Sequence, residues 1–231
     1  MAPMPTCIQV VHTSDLMSDF NSDNLDWLTH DELARYQSIS SANRKLQFLA
    51  GHFLVRKMAS RLYGNQVADW IYFIDADNRR RLECRQSAVP GLYVSLSHSG
   101  DWIAAGISAA SIGIDIETCG KQRDFIAIAS HVFSKSETML LKSLAPDQLA
   151  RQFYLYWTLK ECVAKQCGAG LKFEVSRAHS FIPSRASDSA SIISWQCPQY
   201  VLAVSSIPNG DIETSGLCGL PERQYWLNVS A

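Results

Sequence analysis

The chain has 231 residues, 47% hydrophobic and 19% charged, which is enough apolar side chain for one large domain or two packed halves and too little charge for a disordered segment. Lys and Arg number 21 against 22 Asp and Glu, a balance that speaks against a dedicated nucleic-acid binder. Seven cysteines, an odd number with no Cys-x-x-Cys pair, suggest neither a disulfide framework nor a zinc site and fit reduced thiols. Met1 to Val11 lacks a basic region followed by an apolar run, and no stretch has bilayer-spanning length, so a cytoplasmic protein without a membrane partner is expected.

Charge is nonetheless uneven along the chain. Between Leu33 and Ala68 every charged residue is basic (Arg35, Arg44, Lys45, Arg56, Lys57, Arg61), and Arg79, Arg80 and Arg81 follow. Such a run is either a solvated helix face or a site for a small polyanion. The first clear periodicity predicts a helix from about Ala42 to Tyr63, with Leu46, Leu49, Phe53 and Leu62 at helical spacing and Ser40 or Ser41 as N-cap. Lys45, His52 and Arg56 then share one face, where their donors could hold phosphate groups.

From Gly91 to Glu117 the pattern changes to short apolar runs broken by turn residues, predicting strands over Leu92–Leu96, Trp102–Ile107 and Ile112–Ile116. Ser97-His98-Ser99-Gly100 falls between the first two, in a turn whose free N–H groups and hydroxyls could receive a phosphate. On the third strand Asp115 and Glu117, two residues apart, point to one face while Ile114 and Ile116 point to the other. Two like charges side by side are costly, so a hard cation such as magnesium or manganese between them is one reason for the arrangement; an exposed strand end is the other.

The chain turns helical again after Cys119 and Gly120, and Ser134-Lys135-Ser136-Glu137 forms a capping-box pattern that starts a helix just after Phe133. A second long helix is predicted from about Pro146 to Gln166, with Leu149, Phe153 and Tyr156 or Trp157 on its core face and Gly168 and Gly170 beyond its end. It places Trp157, Glu161 and Lys165 on one face at steps of four, where Glu161 and Lys165 alone would read as a surface pair. Strand-like pieces follow at Ile192–Trp195, Tyr200–Ser205 and Tyr225–Val229. Helix then strands, twice over, predicts an α+β fold of two similar halves, 1–110 and 111–231.

Four pieces taken together carry a family resemblance: Ser-Leu-Ser-His-Ser-Gly (95–100), Gly-Ile-Asp-Ile-Glu (113–117), Phe133-Ser134 followed by Glu137, and Trp157-Thr-Leu-Lys160-Glu161 followed by Lys165. In order and spacing they resemble the Sfp-type phosphopantetheinyl transferases over roughly Leu92 to Gly170, with a weaker match from Leu49 to Arg56. The resemblance implies a pseudo-twofold monomer of two similar subdomains with coenzyme A in the cleft between them. It implies transfer of 4'-phosphopantetheine to a serine of an apo acyl or peptidyl carrier protein, with Mg2+ as cofactor and adenosine 3',5'-bisphosphate as the second product.

Carried over residue by residue, Asp115, Glu117 and Glu161 would hold magnesium, and Lys160 and Lys165 would contact the diphosphate. Ser97 and His98 would meet the coenzyme's phosphates, Arg35 would lie near the 3'-phosphate, and Gly51 would line the nucleotide. Arg56 is the further phosphate donor on the first helix, and Arg80 replaces a lysine of the family's Gly-Lys-Pro motif. His52 stands where many relatives have arginine, as a weaker, pH-dependent partner. Removal of the serine proton would fall to Glu161 or to a water bound to the metal. A coenzyme-binding module without transfer activity and a nucleic-acid binder using Arg35 to Arg61 are the competing readings.

Overall fold

The computed structural model describes residues 5–16, 19, 24–86, 91–120, 122–170, 177–184, 190–206, 212–219 and 221–230. In chain order the elements are β1 (Thr6–His12), α1 (Thr13–Leu16), α2 (His30–Ser38), α3 (Ala42–Tyr63), β2 (Trp70–Ile74), β3 (Arg80–Cys84), β4 (Leu92–Ser99), β5 (Trp102–Ser108) and β6 (Gly113–Thr118). There follow α4 (Phe125–Val132), α5 (Lys135–Ser143), α6 (Pro146–Gln166), β7 (His179–Ser184), β8 (Ile192–Gln196), β9 (Tyr200–Ser205), β10 (Ile212–Ser215) and β11 (Gln224–Ser230). The fold is mixed α+β, with two largely antiparallel sheets and helices laid on them. Two compact units result: Met1–Ile112 with Asp211–Gly216, and Gly113–Gly210 with Leu217–Ala231.

In the first unit the sheet order is β10-β1-β5-β4-β3-β2, and α3 lies across β5, β4 and β2. Helix α3 begins where the Ser41 hydroxyl accepts the Arg44 N–H and ends at Gly64, whose φ of 77° only glycine adopts freely. Leu54, Val55, Trp70, Leu82, Ile103 and Ile107 form the core between helix and sheet. Helix α2 starts at a reciprocal capping box, in which the Thr29 hydroxyl accepts the Glu32 N–H and the Glu32 carboxylate accepts the Thr29 N–H. Strand β10 runs parallel to β1 and ends at Gly216, where a Cβ would sit 1.9 Å from the Val10 carbonyl oxygen. The last fifth of the chain therefore returns a strand to the first unit.

One expectation fails here. Ser97, His98 and Ser99 do not form a turn; they continue β4, registered against Ala104, Ile103 and Trp102 of β5. Their backbone groups face the neighbouring strand instead of a phosphate, and the reversal is confined to Gly100 and Asp101.

In the second unit the order is β6-β9-β8-β11-β7, with α6 packed on β6 and β9. Helix α6 opens with Pro146 at its first turn, where the missing N–H costs nothing. Its buried Phe153, Leu155 and Leu159 meet Ile192, Val201 and Ala203 in the core. Helix α5 starts at the capping box read from the sequence, Ser134 with Glu137. Gly113 decides how close β6 and α6 come: a Cβ there would lie 1.7 Å from the Cys162 carbonyl oxygen and 2.7 Å from the Gln166 nitrogen. Only glycine permits that approach, which brings the start of the Asp115 strand against the turn of α6 that carries Glu161 and Lys165. No helix among the described residues is long and apolar enough to cross a membrane.

Candidate functional site

The approach of β6 to α6 assembles the charged cluster of the second unit. Asp115 is buried, and Lys165 reaches across from α6 to place its Nζ 2.7 Å from Asp115 Oδ1. The ion pair of Lys165 therefore runs to the strand and is not a surface link along the helix. Glu161 and Glu117 are both half-buried. Burial pushes the Glu161 carboxyl above the usual carboxylate range, the Asp115 and Glu117 charges push it further, and Lys165 opposes them. These four side chains thus feel one another's charge, with three carboxylates set against one ammonium.

Lys160, one residue before Glu161, is placed otherwise. It is 3% exposed, with Nζ 3.0 Å from Glu137 Oε2 and donating to the His179 carbonyl at 2.6 Å, between the rings of Phe133 and Phe181. Burial lowers its pKa and the Glu137 charge counters that. The expected contact with a diphosphate is not available to an ammonium so enclosed. Lys160 instead ties α6 to the N-terminus of α5.

In the first unit, Arg35 and Arg80 line one cavity of about 400 Å3, with Phe48, His52, Tyr72 and Phe73 around them. Of the three consecutive arginines, Arg79 is paired with Asp77 and Arg81 is spent on Asp75, the Gly91 carbonyl and the ring of Tyr93, while Arg80 stands in the cavity wall. The other expectations on α3 are corrected. Arg56 is fully buried: Nη2 lies 2.6 Å from Glu32 Oε2, Nε donates to the Trp70 carbonyl and Nη1 to the His52 carbonyl. No donor of that side chain points at a ligand. His52 Nδ1 donates to Glu32 Oε1 at 2.6 Å, and burial depresses its pKa despite the carboxylate, so it is a neutral structural group. Gly51 is buried against Leu96 and Ile103, in the core and not beside a nucleotide.

His98 shares its face of β4 with Leu96, toward α3, while Ser97 projects from the opposite face. The structure therefore does not bring Ser97 and His98 to one ligand. It brings His98 to Arg44, whose Nη1 donates to His98 Nε2 at 2.6 Å. Arg44 is exposed, and its pairing with His98 is a contact that the sequence reading missed. The available signal was its place among the basic residues of the first turn of α3, from which a long side chain reaches the neighbouring sheet. Also missed was Glu32, whose capping-box pattern with Thr29 was legible but whose ion pair with Arg56 was not.

Asp115, Glu117 and Glu161 supply carboxylate oxygens only, which suits a hard divalent cation and not zinc or copper. Burial raises Glu161 first, and the further push from Asp115 and Glu117 is an excess of negative charge that such a cation would relieve. Lys165 relieves part of it in this structure. Among the described residues no three His, Cys, Asp or Glu side chains converge closely enough to enclose an ion. The donor chemistry fits a divalent metal, with Lys165 standing beside it as a fixed positive charge.

Residues 111–220 match the family model described as the 4'-phosphopantetheinyl transferase superfamily. A 4'-phosphopantetheinyl transferase of Bacillus subtilis is 34% identical over 123 residues, covering 53% of this chain and 52% of the relative. The 4'-phosphopantetheinyl transferase psf-1 of Bacillus pumilus is 30% identical over 142 residues, 62% and 57% of the two chains. The 4'-phosphopantetheinyl transferase Sfp of Bacillus subtilis strain 168 is 35% identical over 124 residues, 53% and 52% of the two chains. The chain thus spans about half the length of the curated relatives it matches. The stretch 111–220, which carries Asp115, Glu117, Glu161 and Lys165 on strand β6 and helix α6, is the part of this chain that is similar to the 4'-phosphopantetheinyl transferase superfamily.

Proposed function

We propose that this protein transfers the 4'-phosphopantetheine group of coenzyme A to a serine of an apo acyl or peptidyl carrier protein in a magnesium-dependent reaction. It acts as a monomer in the cytoplasm, without a nucleic-acid or membrane partner. The observation that carries this reading is the Asp115–Lys165 pair beside a Glu161 whose carboxyl is raised by burial and by its neighbours, inside the segment with the family match.

In the reaction the serine oxygen bonds to the β-phosphorus of coenzyme A, the bond from that phosphorus toward the α-phosphate breaks, and adenosine 3',5'-bisphosphate leaves. The serine proton goes to Glu161 or to a water bound to the metal. Lys165 offers its ammonium to the charge that grows on the departing phosphate. Magnesium, held by Asp115, Glu117 and Glu161, would neutralise diphosphate charge. Arg44 and His98, and separately Arg35 and Arg80, are the donors of the first unit for the phosphates of the nucleotide portion.

The nucleic-acid reading loses support because the basic run is not a continuous surface. Arg56 is buried, Lys57 is paired with Asp19, and Lys45 lies over the ring of Tyr36. The test is incubation with coenzyme A, magnesium and a panel of apo carrier proteins, scored by the mass gain of one phosphopantetheine group. Its disappearance on chelation supports the metal, and no gain with any carrier refutes the transfer.

A further inference from the structure

Two cysteines of the second unit meet around one tyrosine. Cys197 closes the β8–β9 hairpin: its N–H donates to the Tyr200 carbonyl at 2.9 Å, and its carbonyl accepts from Arg151 Nη2 at 3.0 Å. Its side chain is fully buried. Cys218 follows β10, half-buried, and its N–H donates to the Tyr200 hydroxyl at 3.1 Å. The Cys197 sulfur is itself within hydrogen-bonding reach of that hydroxyl and of the Cys218 N–H. Both residues are thiols in this structure.

Reach to the Cys218 N–H matters because an amide nitrogen is about 1.5 Å from its own Cα. A sulfur that meets this N–H stands beside the Cys218 side chain, and rotation about the Cys218 Cα–Cβ bond carries the second sulfur toward it. A disulfide asks for a similar neighbourhood, with Cβ atoms about 4 Å apart. The two thiols differ in access. Burial pushes the Cys197 thiol up, so it stays protonated and closed to reagents in solution, whereas solvent reaches Cys218. One accessible sulfur beside one enclosed sulfur suits an attacking thiol and a resolving thiol.

We infer that Cys197 and Cys218 are a modification site, a pair that a low-molecular-weight disulfide such as glutathione disulfide converts reversibly into an intramolecular disulfide. Cys218 attacks one glutathione sulfur and releases the first glutathione; Cys197 then attacks the Cys218 sulfur of the mixed disulfide and releases the second. Two protons and two electrons pass to the two glutathione molecules, and one S–S bond replaces another. Neither sulfur takes part in the transfer reaction proposed above. The bond would close the chain from 197 to 218, which holds β9, paired with the strand of Asp115, and β10, paired with β1 of the first unit. Closing that loop restricts the unfolded chain, so the oxidised protein should be the more stable form.

The test incubates the whole folded protein with glutathione disulfide and then blocks the remaining thiols with iodoacetamide. No Lys or Arg lies between Arg185 and Arg223, so one tryptic peptide, 186–223, carries both cysteines and no other. That peptide should lose two hydrogens, and after cleavage behind Glu213 its halves should stay joined until reduced. Cys218→Ser should leave Cys197 unmodified, and Cys197→Ala should hold one glutathione on Cys218. The unfolding temperature should rise by several degrees on oxidation in the wild type and not in Cys218→Ser. A wild-type peptide that gains glutathione, or stays unchanged, without losing two hydrogens overturns the pair. Oxidation of Cys197 in Cys218→Ser overturns it as well. A cross-link that forms only in urea belongs to the unfolded chain and refutes the site, and a bond that leaves the unfolding temperature unchanged refutes the stabilising role.

Discussion

Each unit buries charged side chains, and the two clusters are resolved in opposite ways. In the first, Glu32 accepts from Arg56, His52 and the Thr29 N–H, and Arg56 completes its bonds on backbone carbonyls. Burial would raise the Glu32 carboxyl, but these partners outweigh it and bring it down to about 2. In the second, three carboxylates share the influence of one lysine, and Glu161 is left above its ordinary range. Satisfied charge of the first kind fastens α2 to α3, whereas unbalanced negative charge of the second kind is available to a metal or a proton. The sequence assigned Arg56 to the wrong class because an arginine on a basic helix looks the same in both.

The comparison breaks first at Arg56. Arg56→Ala should destabilise the protein by about 3–5 kcal/mol in urea unfolding, because it strands the Glu32 carboxylate in the interior. A loss under 1 kcal/mol would return Arg56 to the surface and to a binding role.

Acid sharpens the contrast. Glu32 has its folded pKa depressed from an ordinary 4.5 to about 2, so below 4.5 the unfolded chain binds a proton that the folded chain refuses. The stability it contributes is present above pH 4.5 and is lost as pH falls through that window toward 2, amounting to about 3 kcal/mol. His52, also depressed, acts in the same direction below its ordinary 6.5. Glu32→Gln should flatten this acid limb in unfolding followed from pH 7 to pH 3; an unchanged slope would count against the triad.

In the second cluster the expected loss is catalytic. Glu161→Gln and Lys165→Ala should each lower turnover by at least about a hundredfold at saturating substrates, about 2.7 kcal/mol in barrier, with less than additive effects in the double variant. Thermal unfolding should move little for Glu161→Gln. Lys165→Ala and Asp115→Ala should cost some stability, because the two are partners at 2.7 Å and not simply a source of repulsion. Near-normal turnover in both helix variants would remove α6 from the chemistry.

The smallest effect is predicted at the Arg44–His98 pair. Arg44→Ala should raise the KM for coenzyme A by about tenfold while leaving kcat nearly unchanged, since in the proposed reaction it would hold a portion of the substrate that does not react. An equal fall in kcat would show that the pair does more than bind.

Local chemistry accounts for what could be read without a structure. Helices α3 and α6 were legible to their bounds because Ser41, Gly64, Pro146 and Gly168 punctuate them within the chain itself. The Asp115–Glu117 face and the Ser134–Glu137 box were legible for the same reason, as each depends on neighbours two or three residues away. Strands β1, β2, β3, β7 and β10 were not, and β10 is the plainest case: Ile212–Ser215 is four residues long and exists by pairing with Thr6–Gln9 at the other end of the chain. Pairing partners and charge partners so distant leave no periodicity, so the sequence determined which ionisable groups the protein possesses and which helices carry them. Tertiary structure alone decided which are satisfied: Glu32 reaches Arg56 across 24 residues, Lys165 reaches Asp115 across 50, and Gly113 sets how near β6 comes to α6. The physical reason is that a buried charge takes its character from the partner that compensates its desolvation, and folding alone brings that partner near.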